Sequence, residues 1–153
     1  AIPPTGGATG AYNTPAWTGE RFTDNSDGTV TDNLTALVWL KDSTCFGAKT
    51  WANALSSCNN LASGSCGLSD GSTAGQWRLP NVNELHSLID LTQSNPALPS
   101  GHPFYGVLSA AYWSSTSTAW NSTAAMVVSL IDGDVANYNK ANLCYVWPVR
   151  GGE

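Results

Sequence analysis

Hydrophobic positions follow three rhythms along the chain, and each rhythm holds its own stretch. Between residues 22 and 40, Phe22 and Asp24 alternate, Asn25-Ser26-Asp27-Gly28 supplies a turn, Thr29-Val30-Thr31 resumes with β-branched residues, and Ala36-Leu37-Val38-Trp39-Leu40 is continuously apolar. Alternation about a turn whose glycine can take positive φ predicts a β-hairpin. The unbroken run predicts a central strand covered on both faces. From Thr50 the period lengthens: Trp51, Ala54, Leu55, Cys58 and Leu61 mark one face of a helix capped by Thr50 and stopped at Gly64. A second helix starts at Asn81-Val82-Asn83-Glu84, which has capping-box form after Pro80, with Val82, Leu85, Leu88 and Ile89 as its apolar face and His86 off that face. Residues 63–76 read as a glycine- and serine-rich loop, and residues 92–111, with Pro96, Pro99 and Pro103, as a long ordered one. From Tyr112 the rhythm is again that of strands. Residues 112–115 and 124–131 predict a pair, Asp132-Gly133-Asp134 a turn, residues 135–138 a return strand and residues 143–149 a closing strand. Strands at both ends around two helices predict the α+β class, with a mixed, mostly antiparallel sheet and long loops.

Composition narrows the partners. The 153 residues suit one domain, residues 21–153, preceded by an extended arm, residues 1–20, rich in Gly, Pro, Thr and Ala. The arm is expected to dock on its own domain or on a neighbouring copy. Seven tryptophans with only 11% charged residues give the palette of a secreted protein built from short strands and turns. A net charge of −5 with six scattered Lys and Arg offers no basic stripe, which argues against nucleic acid and against anionic polysaccharide as partners. No apolar run reaches the length of a membrane span, and the start at Ala1 lacks a charged and apolar leader, so any signal peptide is expected to be gone. Cys45, Cys58, Cys66 and Cys144 match no zinc spacing and predict two disulfides in an oxidising compartment. Three connectivities are possible; Cys58–Cys66 with Cys45–Cys144 is the preferred one, the first closing a short loop after the helix and the second tying the early sheet to the last strand.

The segment 21–33 also invites a calcium-loop reading. With Gly28 at the sixth loop position, the first and twelfth fall on Thr23 and Leu34, where carboxylates are required, and Asp24 is out of alternation. The hairpin reading is preferred, with no metal or cofactor.

Four ordered phrases carry a resemblance. They are Arg21-Phe22-Thr23-Asp24-Asn25 through Thr31-Asp32-Asn33-Leu34-Thr35 with Trp39; Gln76-Trp77-Arg78-Leu79-Pro80-Asn81 before Glu84-Leu85; Tyr112-Trp113-Ser114-Ser115; and Tyr145-Val146-Trp147-Pro148-Val149-Arg150-Gly151-Gly152. Over residues 21–152 the chain resembles the bacterial collagen-like-adhesin C-terminal domain family, long catalogued as a domain of unknown function. The resemblance implies a C-type-lectin-like fold and an extracellular recognition module. In the adhesin that names the family the domain binds glycosaminoglycans and forms trimers; an acidic chain does not match a polyanion, so that ligand is not carried over. The lectin fold's usual calcium-sugar triplets, Glu-Pro-Asn or Gln-Pro-Asp, are absent, and Asn95-Pro96-Ala97 and Trp120-Asn121-Ser122 lack the flanking ligands.

Candidate chemistry reduces to recognition. His86 and His102 lack an acid or nucleophile at telling spacing, and the carboxylates form no glycosidase pair, so no enzyme is expected. Arg78 and Arg150 read as structural, stacked on tryptophan or tied to loop carbonyls. Trp39, Trp51, Trp77 and Trp147 read as core. By contrast Trp113 and Trp120 sit among Ser115, Thr116, Thr118 and Asn121, a mixture of aromatic and small polar groups like that of selected paratopes. Asp134, Asn137, Tyr138, Asn139 and Lys140 form a second such cluster. In the fold the resemblance implies, both segments face the ligand. The expected function is a secreted, non-catalytic recognition or adhesion module that binds a glycan or protein surface at the cell exterior. The alternative is a structural subunit of an extracellular homo-oligomer or filament that self-assembles through the arm.

Overall fold

The computed structural model describes residues 20–151; the arm, apart from Glu20, lies outside the described residues. The fold is α+β, with seven strands in two antiparallel sheets and two helices among the described residues. The first sheet has the order β1-β2-β3-β7, formed by β1 (Phe22–Asp24), β2 (Thr29–Asp32), β3 (Leu37–Leu40) and β7 (Val149–Arg150). The second has the order β4-β5-β6, formed by β4 (Ala111–Thr118), β5 (Asn121–Ser129) and β6 (Val135–Asn139). Between the sheets in sequence lie α1 (Trp51–Asn59) and α2 (Val82–His86). The expected single sheet is thus divided in two, and closure comes from β7 pairing with β3.

The local chemistry of these elements is that of their sequences. Gly28 turns β1 into β2 at φ 91°, and Asp27 Oδ1 accepts from both the backbone N–H and the hydroxyl of Thr29. Thr50 caps α1 by accepting from Asn53 N, and Asn81 with Glu84 forms the capping box of α2. The second helix is shorter than its apolar face suggested: it stops at His86, while Leu88 still buries in the core.

Alternation along β4 and β5 makes the second sheet a layer with two apolar faces. Tyr112 and Val128 join a large cluster with Val30, Trp39 and Leu40 of the first sheet and with Trp77, Leu85 and Trp147. Trp113, Ala125 and Val127 point the other way, into a smaller cluster with Ala54 and Cys58 of α1 and with Cys144 and Val146. Trp147 anchors the larger cluster: its indole donates to Leu40 O at 2.9 Å and meets Phe104 edge-on at 4.9 Å. Trp39, Trp77 and Trp147 are fully buried, and Trp51 is half-buried.

The disulfide pairing differs from the expectation. Cys45 is joined to Cys66, and Cys58 and Cys144 are buried free thiols. The reason lies in the helix. Cys58 is on the inner face of α1, held in the smaller cluster, whereas the chain after Gly64 folds back over the β1–β2 turn and carries Cys66 with it. Burial pushes both free thiols up, that of Cys144 to about 11.

Both arginines singled out in the sequence are structural. Arg78 forks Glu84 at 2.6 and 2.8 Å and donates to Gly151 O, and Arg150 pairs with Asp70 at 3.1 Å while its guanidinium lies 5.2 Å from the Trp77 ring.

Candidate functional site

The stretch 113–121 expected as a recognition surface runs along β4 into the turn of a β-hairpin with β5. Thr118 pairs with Asn121 across a tight turn that holds Ala119 and Trp120. A register shift between Trp113 and Ser117 bends β4 there. Backbone pairing with β5, and of β5 with β6, fixes the tip without help from its side chains.

The structure sorts the predicted residues into three groups. Trp113 is fully buried, its indole donating to Lys49 O, and Thr118 is buried with its hydroxyl donating to Asn137 Oδ1. These two cannot touch a ligand, because alternation turns their side chains into the layer between the sheet and α1 or onto β6. Ser115 and Thr116 bind inward: Ser115 N donates to Pro80 O, and Thr116 Oγ1 accepts from Val82 N at the start of α2.

A second group lies at the hairpin tip and on the neighbouring strand β6. Trp120 is 77% exposed, and Tyr138, opposite Ala125 on β6, is 38% exposed. Asn121 Oδ1 accepts from the N–H and hydroxyl of Thr123, and Asn139 Oδ1 from Ala141 N, so each side chain is held by its oxygen. Asn137 is exposed beside them on the edge strand. Lys140 borders this surface but is committed: its ammonium donates to Ser122 O and lies 4.1 Å from the Trp51 ring.

Asp134 stands apart. Its carbonyl accepts from Ser129 N at the far end of β5, about eight residues from the tip, or roughly 26 Å along a strand. The second sequence cluster is therefore split, with residues 137–140 at the tip and Asp134 at the opposite turn.

His86 ends α2, and His102 serves its loop. His102 Nδ1 accepts from Phe104 N, and burial holds its imidazole below the ordinary value. The aspartates of the first hairpin are engaged as well: Asp24 with Lys41 at 2.6 Å, Asp32 with Arg21 at 2.9 Å, and Asp27 with Thr29. Among the described residues no group of three or more His, Cys, Asp or Glu could hold a metal ion.

Sequence reasoning missed one feature. A cavity of about 550 Å³ opens between the β1–β2 turn, residues 41 and 42 after β3, the loop at Cys66 and Gly67, and Tyr105. Its residues come from four distant segments, so no local spacing announces it. The one signal was Tyr105 itself, an aromatic within the proline-rich loop that follows no hydrophobic period.

The described residues form an α+β domain that carries an exposed tryptophan in the turn of a backbone-paired hairpin. The chain belongs to the Lcl C-terminal domain family, whose model matches residues 28–150. The first phrase of the resemblance, Arg21 to Asn25, precedes the matched span, and the other phrases fall within it up to Arg150. No curated protein matches the chain. Among the described residues no helix is long and apolar enough to cross a membrane.

Proposed function

We propose that this domain is a secreted, non-catalytic adhesion module that binds a glycan or protein surface through the β4–β5 hairpin tip. The observation that carries the reading is Trp120, a large aromatic side chain left 77% exposed on a backbone that is fully paired beneath it. Burying such a ring on a partner yields apolar area and little ordering loss, because a hairpin tip needs no rearrangement. Asn121 in the same hairpin and the exposed Asn137, Tyr138 and Asn139 of the neighbouring strand β6, with Tyr138 on the face opposite Asn137 and Asn139, add hydrogen-bonding groups that adapt to either kind of partner. Membership of the Lcl C-terminal domain family supports the adhesive role, and the Cys45–Cys66 disulfide supports an extracellular setting.

Binding of the labelled domain to a glycan array and to whole cells tests this. Trp120→Ala should sharply lower retention while leaving the unfolding midpoint unchanged, since the ring is exposed and contributes little to the core. Retention equal to that of the unmodified domain would refute the assignment of the tip.

A further inference from the structure

The cavity beside Tyr105 has a chemistry of its own. Tyr105 is 66% exposed, yet its backbone is fixed on both sides: its N–H donates to Lys41 O, and its carbonyl accepts from Ser43 N and Ser43 Oγ. The backbone that presents the ring as an apolar wall is therefore set before any ligand arrives. The same cavity is lined by two carboxylates, Asp24 and Asp42, and one ammonium, Lys41. Asp42 uses Oδ1 to accept from the N–H and hydroxyl of Thr44, both at 2.9 Å, which leaves Oδ2 without a bond among the described residues. Asp24 accepts from Ser26 N and from Lys41 Nζ, and the ammonium keeps two further N–H donors.

The walls cannot shift easily. A Cβ on Gly28 would come within 2.5 Å of Gly67 O, so the turn and the loop touch backbone to backbone, and the Cys45–Cys66 bond ties that loop down. A second cavity of about 360 Å³ adjoins the first through Asp24 and runs along β1 to Pro99, His102 and Pro103. On this side β1 is a free sheet edge. The ladder bonds at Arg21 O and Asn25 N fall on odd-numbered positions, so by alternation the N–H and C=O of Phe22 and Asp24 point away from β2.

Charge decides between ligand classes. Two carboxylates against one ammonium disfavour a polyanion, and the ammonium disfavours a cation. A neutral polyol offers hydroxyl donors to Asp24 and Asp42, an acceptor to Lys41, and a C–H face to the Tyr105 ring. The volume lies in the range of small-molecule sites.

We propose that the Tyr105 cavity binds an uncharged pyranose, the terminal residue of a glycan whose next unit lies along the β1 edge. This site is separate from the hairpin tip and does not rest on the function proposed for it.

Amide chemical-shift titration with a panel of methyl pyranosides, with methyl sulfate and tetramethylammonium as charged controls, tests the proposal. At least one pyranoside should shift the amides of Lys41, Asp42, Gly67 and Tyr105, and Tyr105→Ala should weaken that binding by about tenfold or more. Asp42→Asn should weaken it too, while Trp120→Ala should leave it unchanged. Because the Tyr105 side chain is exposed and its backbone does the anchoring, the Tyr105→Ala domain should fold, which its unperturbed remaining amides would verify. The proposal is overturned by silence of these amides to the whole panel at 50 mM or so, by shifts that survive Tyr105→Ala, or by a response to either charged control in place of the sugars. A response lost with Trp120→Ala but kept with Tyr105→Ala would assign the sugar to the hairpin tip instead.

Discussion

Replacing Cys45 and Cys66 together by serine tests how the loop over the first hairpin is held. The two are separated by 21 positions, so the bond removes from the unfolded chain the entropy of closing a loop of that length, worth about 3 kcal/mol on the chain-entropy scale. Cys45 is exposed and Cys66 half-buried, so serine at either site leaves little cavity and the loop term should dominate. Urea unfolding followed by tryptophan fluorescence should then show the midpoint lowered by roughly 1–3 M. A thiol count sharpens the result. Without reductant the unmodified protein should show no reactive thiol when folded and two in urea, from Cys58 and Cys144, whose burial keeps both protonated and shielded. The pairing preferred from sequence, Cys58–Cys66 with Cys45–Cys144, would leave none in urea. A midpoint unchanged within error, or no thiol in urea, would refute the reasoning.

Gly28→Ala should cost about 2–4 kcal/mol, combining a left-handed backbone with a Cβ 2.5 Å from Gly67 O, whereas Gly71→Ala, at φ 76° with open space around it, should cost only about 1 kcal/mol; urea midpoints of the two variants check the difference. Stability should fall below about pH 4.5. Burial by itself would raise the Glu84 and Asp70 carboxyls, but bonds from Arg78 and Asn81, and from Ser72 and Arg150, outweigh it and hold both below their ordinary values. Their stabilisation is therefore complete above the unfolded-state values and is lost as pH falls through the lower folded-state ones. Glu84→Gln should lower the midpoint at pH 7 and flatten its decline between pH 5 and 3; an unchanged slope would contradict the assignment.

Elements whose own residues dictate them were legible in the sequence. Gly28 with its flanking Asp and Thr residues specifies the first hairpin, Thr50 the start of α1, and Asn81 with Glu84 the start of α2, because each signal acts within a few residues. The predicted strand over residues 112–115 runs on to Thr118, because pairing with β5 extends it through Ser and Thr residues whose own pattern carries no strand signal. Trp113 illustrates the limit most plainly: its polar neighbours suggest a surface, but the face it occupies is covered by α1, which no neighbouring residue reveals. Disulfide pairing and the Tyr105 cavity depend on where loops far apart in sequence cross, so their residues carry no local mark.

The ion pairs have a consequence for the environment in which the domain can work. Of its six Lys and Arg, five are spent inside the fold: Arg21 on Asp32, Lys41 on Asp24, Arg78 on Glu84, Arg150 on Asp70, and Lys140 on Ser122 and Trp51. Little positive charge remains for long-range attraction, and contact must come from rings and from hydrogen bonds to uncharged partners, which screening by dissolved ions barely touches. Attachment of this kind should hold alike in fresh water and in brine.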